Sequence, residues 1–476
     1  MEYRKYQSYA CTVDADQDDR ATQIRMFNFT RPHMRAFHCN WFGFFMAFCI
    51  WYAIAPLLSE IKKTLHLNKQ QIWTSSIVAV SGTIFMRFLL GPLCDKFGPR
   101  VLFCSILCLA SIPTAMTGLV NSSTGLATLR LFIGIAGGTF VMCQYWTSRM
   151  FAKEIVGTAN AIVGGWGNLG GGVIQLIVGT GLFPLFKKLN GGSAEKAWRT
   201  VTIVPAVFAF ITGVVVYFIS DDAPKGNYGE MKKNGVMPPV SAAASFRSGM
   251  LNFNSWLLFV QYGCSFGVEL TMNNAAALYF KDQFGQTTEQ AAAIASLFGW
   301  FNIFARALGG FCSDKSNSRL GMRGRLLLQT FILLTEGALV LIFAHTQTLG
   351  SAIVVMCFFA IFAEAGCGST YGIVPYVDPP CTGSVSGIVG AGGNVGAVGF
   401  GLCFRQLKYK EAFIIMGCTI LGSATLSALI FIKGSSSLLF GGEDTSFSKS
   451  PVLEIPPVVD GSNDMDDKDD EIEHDA

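Results

Sequence analysis

Charge is scarce in this chain. Of its 476 residues, 14% are Asp, Glu, Lys or Arg, against about 25% in an ordinary soluble domain. Charge-free runs extend from Ala36 to Ser59, Val101 to Leu129, Ile155 to Phe186, Thr200 to Ser220, Pro379 to Phe404 and Ala412 to Ile432. Each reaches or exceeds the roughly 20 residues that an apolar helix needs to cross a bilayer. Soluble cores do not string together so many long apolar runs, so a soluble domain is excluded. Paired cysteines are also lacking: the 14 Cys are scattered, many inside apolar runs (Cys104, Cys108, Cys264, Cys357, Cys418), with no Cys-x-x-Cys and no metal-ligand spacing. They read as small apolar fillers, and neither a metal nor a cofactor is expected. No nucleotide loop or nucleophile arrangement is found, which argues against an enzyme. The net charge of +3 is spread over loops and tails and predicts no nucleic-acid partner. The first residues are polar, with Asp14, Asp16, Asp18 and Asp19, and lack a signal-peptide pattern. The first apolar segment is therefore expected to direct insertion.

Segments interrupted by one or two charges bring the expected count to about twelve spans. The chain reads as an all-α membrane protein with two pseudo-symmetric six-helix halves. The expected organisation is an amino-terminal tail (1–36), a six-helix bundle (37–220), a polar linker (221–250), a second bundle (251–433) and an acidic, disordered tail (434–476). An even count puts both tails on one side of the bilayer. Lys96, Arg100, Lys315, Arg319, Arg323 and Arg325, in the short loops after the second and eighth spans, predict that this side is cytoplasmic. The sequon Asn121-Ser122-Ser123 would then face outside.

Two internal repeats carry the chemistry. Arg87, Gly91 and Asp95-Lys96 recur as Arg306, Gly310 and Asp314-Lys315, each 219 residues on. An arginine at a span centre costs at least ~2.5–3.5 kcal/mol, and two at equivalent places suggest an anion carrier. Two cations facing one site would repel when empty and relax around an anion. The alternative is a structural salt bridge with Glu364 or Glu269. The second repeat pairs Gly164-Gly165-Trp166-Gly167-Asn168-Leu169-Gly170 with Gly390-Ala391-Gly392-Gly393-Asn394-Val395-Gly396. Its glycines permit close helix approach. Asn168 and Asn394 must be hydrogen-bonded if buried, and each amide has an NH2 to offer an anion. Tyr262 and Tyr145 are candidates to sandwich a flat anion, with bundle packing as the alternative. Acidic residues at span depth are few: Glu269, Glu336 and Glu364. Burial disfavours a carboxylate and a nearby arginine favours one, so Glu269 and Glu364 rank equally as proton-coupling candidates.

The segment Gly91-Pro-Leu-Cys-Asp95-Lys96-Phe-Gly98-Pro-Arg100 resembles the loop 2–3 signature of the major facilitator superfamily. Gly91, Asp95, Lys96, Arg100 and Asp314 are then expected to pack and pair charges at the cytoplasmic face, with Asp95 capping a neighbouring helix start or pairing with a basic group. Arg130, opening the fourth span, resembles a second signature and takes a structural or gating role. The arginine pair with Gly164–Gly172 and Gly390–Gly399 resembles the nitrate/nitrite porter family, of the plant and algal high-affinity type. That resemblance implies nitrate or nitrite as substrate, bound by Arg87, Arg306, Asn168, Asn394, Gly164, Gly167, Gly390 and Gly393. It also implies proton symport through the plasma membrane and a single-span accessory membrane protein as a candidate partner. Nitrate is a planar anion and guanidinium a planar fork of donors, so the chemistry agrees. Nitrate/nitrite antiport, exchange of another small anion and a nitrate sensor with little flux stay open.

Overall fold

The structure, a computed structural model, describes residues 5–6, 8–236 and 241–441. The first half contains six long helical stretches: α1 (His33–Thr64), α2 (Gln70–Phe97), α3 (Pro99–Leu119), α4 (Ser123–Met150), α5 (Val156–Leu189) and α6 (Ala194–Ile219). In the second half α7 is Phe253–Phe284. The stretch Ala293–Phe343 breaks at Gly321 (φ 62°, ψ −150°) into α8 (293–320) and α9 (322–343). They are followed by α10 (Leu349–Val377), α11 (Pro379–Gln406) and α12 (Tyr409–Leu429).

Ten of the described stretches are long and apolar enough to span a membrane. Dividing the broken stretch in two and adding α7 gives twelve long helical stretches, against the expected count of about twelve spans. Low hydropathy is what keeps α7 out of the ten: Gln261, Glu269, Thr271 and Asn273 are all buried along it, facing protein rather than lipid.

Five even-numbered helices, α2, α4, α6, α8 and α10, begin with side-chain caps. Asn68 and Gln71 form a capping box before α2, and so do Thr287 and Gln290 at the start of the helix leading into α8. Ser122, Ser193 and Thr348 cap α4, α6 and α10. Each side-chain oxygen satisfies a backbone N–H that the first turn leaves open. These starts lie on the face away from the linker. Gly134 of α4 packs on α2 so closely that a Cβ would sit 1.9 Å from the Ala79 carbonyl oxygen. Overpacking costs typically about 1–3 kcal/mol, and backbone yields less than a side chain. Gly134→Ala is therefore expected to lower surface level and melting temperature in detergent. Gly422→Ala, whose Cβ would meet nothing within 4 Å, should leave both unchanged.

On the linker face, the amino-terminal tail is folded rather than loose. Val13–Asp14 pairs antiparallel with Arg20–Ala21, Tyr6 donates to Asp221 at 2.9 Å, and the Gln17 amide donates to Glu154. The linker carries a helix, Ala242–Leu251, lying against α11 and α2. Past α12, the Arg323 guanidinium donates to the carbonyls of Ser437 and Gly441. Against the disorder expected over 434–476, residues 434–441 are held there through Ser436, Ser437 and Gly441, and 442–476 lie outside the described residues.

Candidate functional site

Arg87 of α2 and Arg306 of α8 are 0% and 2% exposed, at the centre of the bundle. They share the Phe266 ring of α7, which lies 5.1 Å from the Arg87 Cζ and 5.6 Å from the Arg306 Cζ. Their surroundings differ sharply. Arg306 Nη2 donates to Glu269 of α7 and, at 3.1 Å, to Glu364 of α10. Arg306 Nε donates to the Asn302 oxygen at 3.3 Å. The Asn302 amide in turn donates to Glu269 at 3.1 Å and to Glu364 at 2.8 Å. Asn168 of α5 donates to Glu269 at 3.3 Å. One guanidinium thus holds two carboxylates that would otherwise repel each other.

Arg87 has no carboxylate partner among the described residues. Its Nε donates to the Gly137 carbonyl at 3.1 Å and its Nη1 to the Gly390 carbonyl at 2.5 Å. With its amide oxygen turned towards Arg87, Asn394 accepts from Nε and Nη1 at 3.1 Å each; the network assigns that orientation. Arg87 Nη2 is buried with no hydrogen-bond partner. The Phe140 ring lies 4.7 Å from the Arg87 Cζ, and Phe140, Tyr262, Phe266 and Tyr371 form one aromatic cluster with centroids 5.0–5.8 Å apart. The Tyr262 hydroxyl is also buried without a partner.

The expected excess of two positive charges is therefore corrected. Glu269 and Glu364, when ionised, balance Arg306 and Arg87 together. Arg306 is engaged while Arg87 retains an unused donor. The repeated asparagines also diverge, since Asn168 donates to a carboxylate and Asn394 accepts from an arginine.

The glycine repeats sit against the arginines crosswise. A Cβ on Gly164 of the first half would lie 3.5 Å from the Arg306 Cδ, and one on Gly390 of the second half 3.5 Å from the Arg87 Cδ. Gly167 and Gly393 instead admit the rings of Phe44 and Phe266 from within their own halves.

The motif residues form a second symmetric set on the linker face. Asp95 accepts from the backbone N–H groups of Gly383 and Ser384 at 3.2 Å each, at the start of α11. Asp314 accepts from the Thr158 N–H and hydroxyl at 2.6 Å each, at the start of α5. Each half's aspartate thus caps the fifth helix of the other, where a helix N-terminus favours an anion. Gly91 and Gly310 let those chains meet: a Cβ on either would lie 2.6 or 2.4 Å from the carbonyl of Gly383 or Gly157. Arg325 pairs with Asp314 at 2.8 Å, the Arg100 N–H donates to Asp222 at 2.9 Å, and Lys96 is exposed, with its carbonyl accepting from Lys232.

Tyr145, expected beside the anion, lies elsewhere. It follows Gly137 by eight residues, about 12 Å along the helix, and its hydroxyl bonds to that of Tyr228 at 2.6 Å on the linker face. Arg130 donates to the hydroxyls of Ser75 and Ser76 at 2.9 and 2.8 Å, tying α4 to α2.

Comparison with known proteins fixes the family. Residues 41–401 match the model of the Major Facilitator Superfamily. The chain is similar to "High affinity nitrate transporter 2.5" of Arabidopsis thaliana, 40% identical over 82% of this chain and 77% of that one. It is also similar to "Nitrate transporter 2.1" of Chlamydomonas reinhardtii, 36% identical over 90% of this chain and 80% of the other. The chain belongs to the nitrate/nitrite porter family of the Major Facilitator Superfamily. Membership makes it a multi-pass membrane transporter and not an enzyme. The fold is that of the superfamily: a solved proton:xylose symporter superposes with a TM-score of 0.61 at 13% identity, over 82% of this chain and 94% of that one.

Several residues of this porter's centre escaped the sequence reading. Phe266 falls between Tyr262 and Glu269, at i, i+4 and i+7 on one helical face. Cys367 and Tyr371 follow Glu364 at i+3 and i+7. Asn302 is one turn before Arg306. Helical spacing from the charged residues was the available signal. Phe140 had none.

Proposed function

We propose that this transporter carries nitrate, and nitrite with it, into the cell with protons by alternating access. The observation that supports the reading most is the unpartnered, buried Nη2 of Arg87 within an aromatic cage. A planar monoanion on that nitrogen gains charge-assisted hydrogen bonds and stacks on ring faces. Charge balance supplies the coupling. With Glu269 and Glu364 ionised the centre is neutral, so an anion entering alone leaves a buried excess negative charge. A proton on the carboxylate pair removes that excess, so anion and proton each favour the other's binding.

The relatives named for nitrate transport support the substrate. In this reading the linker and both tails face the cytoplasm, at the plasma membrane. The caps from Asp95 and Asp314 then close the cytoplasmic side, and inward release requires both to part. An accessory single-span partner fits one feature of the lipid-facing surface, a groove of about 340 Å³ between α7, α11 and α12. Gly263, Gly392 and Gly396 pack α7 on α11 at its floor, and Gly399, on which a Cβ would meet nothing within 4 Å, is open in it; a small residue lets a transmembrane helix approach closely.

The test is uptake of labelled nitrate by oocytes expressing the chain, at acid and neutral external pH. The expected result is acid-stimulated uptake. Labelled nitrate exchanging for internal nitrite without proton dependence would establish antiport instead. Surface protein that binds nitrate without flux, with and without a co-expressed accessory partner, would leave a sensor.

A further inference from the structure

Next to the anion site α8 is broken where α2 is not. Residues Phe301–Ile303 form one tight three-residue turn, and Phe304 leaves helical geometry (φ −130°, ψ −31°). The Phe304 N–H reaches back to the Phe301 carbonyl at 3.2 Å, and the four-residue ladder resumes with Leu308 bonding to Phe304 at 2.8 Å. With the offset of 219, the equivalent residues of α2 are 82–85, and α2 runs through them unbroken. No proline lies in the broken segment. Another cause of such a kink is a group that enters the ladder. The break leaves the Ile303 carbonyl without a backbone donor, and at span depth such a carbonyl must find one.

The donor comes from the other half. Trp166 of α5 gives its indole N–H to the Ile303 carbonyl at 3.1 Å, and its ring meets Trp41 of α1 edge to face, with centroids 5.3 Å apart. The residues before it grip the same turn. A Cβ on Gly165 would lie 2.6 Å from the Asn302 carbonyl oxygen and 3.2 Å from the Arg306 Cβ, and Gly164 faces the Arg306 Cδ. Three consecutive residues of the first half thus hold the turn from Asn302 to Arg306. That turn carries the Asn302 side chain, which bonds to Glu269, Glu364 and Arg306 alike. The second half keeps part of this arrangement. Gly390 faces Arg87, but Gly392 stands where Trp166 would and packs on the Phe259 carbonyl of its own half. Thr83 stands where Asn302 would and returns its hydroxyl to the Gly134 carbonyl. The clamp therefore sits beside the arginine that holds both carboxylates and has no counterpart beside Arg87.

We propose that Trp166 is a positioning residue for transport: its indole N–H holds α8 broken and so sets Asn302 against Glu269, Glu364 and Arg306, without touching the anion. The proposal rests on the nitrate reading above for its substrate. The Ala307 N–H, in the first turn after the break and four residues on from Ile303, is the rival donor, since a first turn leaves its N–H groups open. When Trp166 withdraws, that N–H closes the ladder, the turn becomes regular helix and Asn302 leaves the carboxylates. The Trp166 bond joins helices of opposite halves, so rocking of one half on the other pulls on it directly. Trp166 thereby ties the charge network to the relative position of the halves, while nitrate rests on Arg87.

The test is labelled nitrate uptake against nitrate concentration in oocytes, at equal surface level, for the wild type, Trp166→Phe, Asn302→Thr and the double variant. Phe keeps an aromatic ring against Trp41 and cannot donate. Trp166→Phe should lower the maximal rate by about three- to tenfold, the weight of one hydrogen bond, and leave half-saturation within about threefold of wild type. Asn302→Thr should lower the rate as well. The double variant should be no slower than Asn302→Thr alone, because Trp166 acts through Asn302. Effects that multiply in the double variant overturn the proposal, and so does an unchanged rate in Trp166→Phe. A raised half-saturation at unchanged rate also overturns it and places Trp166 in anion binding. Wild-type protein at the surface that takes up no nitrate, with and without a co-expressed accessory partner, defeats the nitrate reading first and this one with it. If Trp166→Phe does not reach the surface, Gly165→Ala, whose Cβ presses on the Asn302 carbonyl of the same turn, must lower the rate and spare half-saturation; any other result there overturns the proposal.

Discussion

Arg87→Lys is expected to raise the nitrate concentration for half-maximal uptake by about 100-fold, or to abolish uptake, at unchanged surface level. The guanidinium has three nitrogens in fixed positions. Two are committed, Nε to Gly137 and Nη1 to Gly390, and Nη2 is free. The backbone carbonyls thus orient the fork and leave its third nitrogen for the anion. A lysine ammonium is a single nitrogen and must choose between those carbonyls and the anion. One charge-assisted hydrogen bond lost in a dry site is worth about 1.5–3 kcal/mol, and every ~1.4 kcal/mol is tenfold in affinity. The stacking of the guanidinium plane on Phe140 and Phe266 disappears as well. Two measurements check this: the concentration dependence of labelled nitrate uptake, and the melting temperature of purified protein with and without nitrate. A bound ligand stabilises the folded state in proportion to its affinity, so the nitrate-dependent shift should vanish while the baseline stays. A half-saturation within about threefold of wild type would mean that Arg87 does not hold the anion.

The sequence carried the symmetric part of this site and not the asymmetric part. The repeated motifs around Arg87 and Arg306, and around Asn168 and Asn394, identify equivalent positions. Equivalence says nothing of which half meets which. The packing of Gly164 on Arg306 and of Gly390 on Arg87, and the caps of Asp95 on α11 and Asp314 on α5, are crossings that only three dimensions reveal. Nor could spacing tell that Arg306 would be engaged by two carboxylates and Arg87 by none. The salt bridge weighed as an alternative for the pair is present at one arginine alone. Tyr145 shows the opposite error. An aromatic residue in a span next to the site looked like a wall of it, but eight residues of helix carry it to the Tyr228 hydroxyl. On α7 the polar residues that line the interior lower its hydropathy, and the expected second bundle of six helices over 251–433 includes it all the same.

Glu364→Gln should uncouple nitrate from protons. Glu364 accepts from Arg306 Nε and Nη2 and from the Asn302 amide, and it lies beside Glu269. Glutamine keeps an oxygen for one of those donors and removes one negative charge for good. The site then has the charge that it otherwise reaches only after binding a proton. Nitrate should therefore bind at neutral pH as well as the wild type binds it at acid pH. The acid stimulation of uptake should collapse. Couplings between sites typically run at about 1–3 kcal/mol, or roughly 5–150-fold, so the acid-to-neutral uptake ratio should fall by at least about fivefold. Accumulation against a gradient should disappear, since no proton is left to release inside. Exchange of labelled for unlabelled nitrate needs no net proton movement and should persist, which separates this outcome from misfolding. Glu269→Gln offers the same charge change with the Asn168 bond at stake. If one variant alone loses pH dependence, that carboxyl carries the proton; if both do, the pair shares it across Arg306. Wild-type pH dependence in both variants would remove the pair from the coupling and leave it as the clamp that holds Arg306 in place.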